Sequence, residues 1–153
     1  MNITIIYDSK TGNTEKMAKA IADGASKTAD VTIKKLGEAF PLTILTQADA
    51  VVFGSPVIYA NLTNNMRDFL EGFIEYIKQN KINIDKKPAS VFGSYGWDGA
   101  WSLEHALKEG VEKLGFKVYD EVLVLVDDDI KYRFEKHSKK CEEFGAYFSS
   151  TIK

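Results

Sequence analysis

Three short apolar runs constrain this chain more than any other feature: NITIIY at 2–7, AVVFG at 50–54 and PASVFG at 88–93. Runs this short, without polar alternation, read as strands buried on both faces. Such strands require helices above and below the sheet. The helices are written between them. Met17, Ala18, Ile21, Ala22 and Ala25 fall on one helical face, and Met66, Phe69, Leu70, Phe73, Ile74 and Ile77 form the strongest stripe. Leu103, Ala106, Leu107, Gly110, Val111 and Leu114 predict a further helix, stopped by Gly115. Phe134, His137, Cys141, Phe144 and Phe148 predict a C-terminal helix with Asp128 or Asp129 as its N-cap. VTIKKL at 31–36 alternates like an edge strand, and KVYDEVLVLV at 117–126 reads as a last strand broken near Asp120–Glu121. Residues 37–49 supply at most a brief helix.

Strands alternating with helices imply an α/β fold: a doubly wound parallel sheet of five strands with helices on both faces. Its expected strand order is 2-1-3-4-5, with a ligand outside the carboxyl ends of the strands at the switch point. The chain of 153 residues suits a single domain over 1–153. A net charge of −2 leaves no electrostatic footprint for nucleic acid or an anionic membrane. No apolar stretch approaches a membrane span or a signal peptide. The single cysteine cannot form an internal disulfide. Together these features lead us to expect a monomeric cytoplasmic domain.

The chemistry is expected where three loops leave the carboxyl ends of strands. The first holds Ser9, Lys10, Thr11, Gly12, Asn13 and Thr14. At a helix N-terminus, unpaired N–H groups and neutral side-chain donors suit a phosphate that undergoes no chemistry. The loop has neither the spacing of a nucleotide hydrolase nor that of a dinucleotide site. Taken alone, the same residues also suit a turn and a helix cap. The second loop carries Tyr59, and the third carries Tyr95, Trp97 and Trp101. Aromatic rings from two loops at one rim can sandwich a flat conjugated ring, or else cap the core.

SKTGNT, GSPVIYANLTNNMRDFL and FGSYGWDGAW together resemble the flavodoxin-like family over essentially the whole chain. The third segment is most similar to the flavodoxin-like domain of flavodiiron (A-type) flavoproteins. The resemblance implies FMN and electron transfer between redox partner proteins, without naming donor or acceptor. It also implies that residues 9–14 hold the phosphate. Ser55, Pro56, Val57, Ile58, Tyr59 and Asn61 would flank the isoalloxazine ring on one side, and Ser94, Tyr95, Gly96, Trp97, Asp98 and Gly99 on the other. No side chain need be catalytic. An NAD(P)H-dependent quinone or azo reductase of related fold is the alternative. The second loop lacks the glycine common in electron-carrying flavodoxins, which implies weaker stabilisation of the one-electron-reduced flavin. Asn61 is the expected pivot of that loop. No metal is expected: the only histidines are His105 and His137, and His137 shares its apolar face with Cys141.

Overall fold

The computed structural model describes residues 1–152. Strand β1 (Asn2–Tyr7) leads through helix α1 (Asn13–Ala25) to β2 (Asp30–Lys35). A single turn, α2 (Thr43–Thr46), precedes β3 (Ala50–Ile58), the two-residue β4 (Asn61–Leu62) and α3 (Asn64–Gln79). Strand β5 (Pro88–Tyr95) is followed by a π-helical segment (Ser102–Leu107) that continues as α4 (Lys108–Lys113). The chain ends with β6 (Lys117–Val118), β7 (Leu123–Val126) and α5 (Asp127–Thr151).

The main sheet is parallel, in the order β2-β1-β3-β5, with β6 and β7 sharing the fifth position. Pro88 and Ala89 pair with β6, and Phe92 to Tyr95 pair with β7. The last strand is therefore broken at the expected place, and the doubly wound five-position order holds. Alternate residues of each strand feed two cores. Ile3, Ile5, Val52 and Phe92 face α1 and α5, whereas Ile6, Val51, Phe53 and Val91 face α3 and α4. Completely buried rings such as Phe53 and Phe92 each contribute roughly 1.5–3 kcal/mol.

Two expectations need correction. The second loop does not start at Ser55: β3 continues to Ile58 and folds back as antiparallel β4, pairing Val57 with Leu62 and Ile58 with Asn61. Val57 and Ile58 are β-branched, and the added pairing satisfies their backbone groups. Nor is Asp128 or Asp129 an N-cap. Helix α5 starts at Asp127 directly after β7, with Val126 in the cap position and no side-chain cap bond. The three aspartates lie in the first turn, where they complement the helix dipole. Asp129 also accepts from Arg133 Nε at 2.9 Å, beside the non-helical backbone of Arg133 that kinks α5.

Candidate functional site

Residues 9–14 leave the sheet between β1 and β3, since the Asp8 amide donates to the Gly54 carbonyl at 3.0 Å. Gly12 precedes α1 with φ of 93°, a left-handed value that suits glycine. Ser9 Oγ accepts from the amides of Gly12 at 3.2 Å and Glu15 at 3.3 Å. The hydroxyl hydrogen of Ser9 is thus left to donate elsewhere. As at any helix start, the amides of Asn13 and Thr14 have no intrahelical acceptor. Thr14 Oγ1 lies 2.9 Å from Ser94 Oγ, which joins this loop to the end of β5. Thr14, Ser55 and Ser94 are buried, while Lys10 and Thr11 are exposed. The cluster is rich in uncharged donors and can bind a phosphate without activating it.

A second network braces this helix from outside. The Tyr7 hydroxyl donates to Glu15 Oε1 at 2.9 Å, and Lys19 and Lys35 approach the same carboxylate at 3.5 and 3.9 Å. Burial, then the Glu15 bond, pushes the Tyr7 hydroxyl well above its ordinary value. The Tyr7 bond, then the two lysines, holds Glu15 below the usual carboxylate range against some burial. A depressed folded pKa stabilises above the unfolded value, and that contribution is lost as pH falls through the folded one. We therefore expect the melting temperature to fall below about pH 4.3, and to fall less in Glu15→Gln. At the other end, the unfolded chain ionises Tyr7 above about pH 10 while the folded protein keeps its proton, so stability falls as pH rises. Tyr7→Phe should flatten the alkaline limb in the same melting series.

The aromatic side of the site is built on the β3–β4 hairpin. Its two-residue turn has φ of 51° at Tyr59 and 63° at Ala60. A two-residue hairpin with both central φ values positive is a type I′ turn, which normally carries Asn or Gly. Here each ordinary side chain costs about 1–2 kcal/mol. Asn61 is therefore not the pivot. It is paired in β4, and its side-chain amide donates to the Tyr59 carbonyl at 3.2 Å. The hairpin pairing forces positive φ onto whichever residues occupy the turn.

A shallow cavity of about 390 Å³ lies between this turn and residues 96–98, lined by Val57, Ile58, Tyr59, Ala60, Gly96, Trp97, Asp98 and Asp127. Tyr59 and Trp97 stand 95% and 92% exposed at its rim, free to cover a planar ligand. Tyr95 does not join them: it is half-buried and packs on the α3-side core. Trp101 is half-exposed beyond the cavity, at the start of the π-helical segment. Gly99 has φ of 101°, and a Cβ there would lie 2.8 Å from Ala60 Cα, so its loop and the hairpin meet backbone to backbone. Asp127 lines the cavity as well, and nothing local in the sequence signals that α5 starts there. Asp8, buried beside the 9–14 loop, likewise carries no local sequence signal. Its Oδ1 accepts from the Ser9 amide at 3.0 Å, while its buried Oδ2 has no partner among the described residues. His137 lies 3.7 Å from Asp129 Oδ2, and burial pushes the Cys141 thiol up to about 12.

The flavodoxin family model matches residues 5–140, and the chain belongs to the flavodoxin family. It is 36% identical over 149 residues to the uncharacterized protein MJ0732 of Methanocaldococcus jannaschii, covering 92% of this chain and 34% of that one. It is 29% identical to putative diflavin flavoprotein A 4 of Nostoc sp., covering 100% of this chain and 25% of that one. A solved flavodoxin from the domain Archaea superposes with a TM-score of 0.82 at 27% identity, covering 99% of both chains. The chain spans between about a quarter and a half of the length of the first curated relatives it matches. Family membership supports flavin binding and electron transfer in general. Among the described residues, no helix is long and apolar enough to cross a membrane.

Proposed function

We propose that this chain binds FMN and carries electrons between redox partner proteins in the cytoplasm. The observation that carries the reading is the Thr14–Ser94 hydrogen bond, which brings the loop at the start of α1 to the end of β5, beside the aromatic-rimmed cavity. The donor set fits the group. Ser9, Thr11, Asn13 and the hydrogen-bonded Thr14–Ser94 pair offer uncharged donors to a phosphate, whereas the Ser55 hydroxyl donates to the Pro56 carbonyl at 2.8 Å. The unpartnered Asp8 Oδ2 can accept from a hydroxyl of the ribityl chain. Residues 57–60 and 96–98 would hold the ring, with Tyr59 and Trp97 excluding water from its faces. When bound, the flavin supplies the one- and two-electron chemistry, and the protein supplies binding, orientation and electrostatics.

The absorption spectrum of the purified protein, followed by chromatography of the released cofactor, tests the reading. FMN is the expected product, and failure to take up added FMN would overturn it. Absence of NADPH oxidation with a quinone, in the absence of any other protein, is expected of a carrier; steady turnover would favour the reductase alternative. Trp97→Ala should raise the emission of bound flavin by removing a quenching ring, or weaken binding. Tyr95→Ala should instead lower the melting temperature, because that ring packs on the core.

A further inference from the structure

We infer that Ser102 is a positioning residue: its hydroxyl donates to the Ala60 carbonyl and holds the Tyr59–Ala60 turn in the shape that faces the cavity. This rests on residues 57–60 forming one wall of the flavin site. The turn is poorly suited to holding itself, because neither residue is glycine and both have positive φ. Rotating the Tyr59–Ala60 peptide would convert type I′ to type II′. That change requires at Tyr59 a conformation open essentially to glycine alone. The accessible alternative is a frayed turn in which the Ile58–Asn61 pairing is lost.

Two groups hold the turn by its carbonyls. Asn61 reaches the Tyr59 carbonyl from an exposed position, where water competes. Ser102 reaches the half-buried Ala60 carbonyl from 42 residues away and is itself 1% exposed, so its bond is less open to water than that of Asn61. Ser102 opens the π-helical segment, a geometry concentrated at functional sites. Gly99 completes the contact, since its α-carbon sits against Ala60 and the Val57 side chain with no room for a Cβ. The wall is thereby shaped before a ligand arrives, and little ordering cost falls on binding.

The test compares Ser102→Ala, Ser102→Cys and Ser102→Thr with the unaltered protein. In flavin-free protein, Ser102→Ala should speed amide hydrogen exchange at residues 58–62 by about tenfold, leaving β1 and α1 unchanged. It should weaken FMN and riboflavin by the same factor, about tenfold, because the wall meets the ring and not the phosphate. Ser102→Thr, which keeps the donor, should restore both readouts. Cysteine fills the same space with a weaker donor, so if the alanine variant fails to fold, cysteine against threonine decides. Unchanged exchange at 58–62, or loss of FMN affinity with riboflavin affinity retained, overturns the role of Ser102 even if the unaltered protein binds FMN. If the unaltered protein binds no flavin, the proposed function fails, and the exchange comparison alone decides whether Ser102 holds the turn.

Discussion

Replacing Thr11 and Thr14 together with alanine should weaken FMN binding by about 10²–10⁴-fold while leaving riboflavin binding nearly unchanged. Each hydroxyl bond to a charged phosphate oxygen contributes about 1.5–3 kcal/mol, and riboflavin has no phosphate to lose. The two threonines differ in setting. Thr11 is exposed and free to meet a ligand, whereas Thr14 is buried and shares a hydrogen with Ser94. Removing Thr14 therefore also leaves the buried Ser94 hydroxyl without that partner, at a cost of about 1–3 kcal/mol to folding. Fluorescence titration with both flavins, beside thermal melts, separates the two effects. A lower melting temperature with the selective loss of FMN is the expected pattern. Equal losses for both flavins would show that residues 9–14 do not hold the phosphate.

Gly145→Ala should destabilise the protein by about 3 kcal/mol or more, although it changes one hydrogen for a methyl group. A Cβ at this position of α5 would lie 2.0 Å from the Ile21 carbonyl oxygen and 3.0 Å from the Ala25 amide nitrogen, both in α1. These are backbone atoms of a regular helix and cannot turn aside as a side chain would. Gly24 makes the reciprocal approach, with its missing Cβ 1.9 Å from the Glu142 carbonyl oxygen. The two helices thus touch backbone to backbone, and the substitution must drive them apart along the core that holds Met17, Ile21, Cys141 and Phe148. Displacing α1 also moves the helix start that carries residues 9–14. Urea unfolding should therefore show a lower midpoint, and FMN affinity should fall with it. A midpoint equal to that of the unaltered protein would mean that the helices do not pack this closely.

Sequence alone determined the order and kind of the main elements, because those follow from local signals. Two-sided burial makes NITIIY, AVVFG and PASVFG continuously apolar, and one-sided burial spaces Met66, Leu70 and Phe73 at helical intervals. The break at Asp120–Glu121 was legible for a similar reason, since adjacent acids fit poorly in a buried ladder. The donor loop at 9–14 was legible because its side chains act on the backbone beside them. The three-dimensional structure decided the rest. No local pattern places Ser102 under Ala60, turns Tyr95 into the core while Trp97 stays at the rim, or brings Asp127 to the cavity. Gly24 and Gly145 look like weak points within helices until the two helices are seen in contact. The positive φ values at Tyr59 and Ala60 run against the preference of both residues. They arise because β3 and β4 pair across a two-residue gap, and that closure overrides what either residue would adopt by itself.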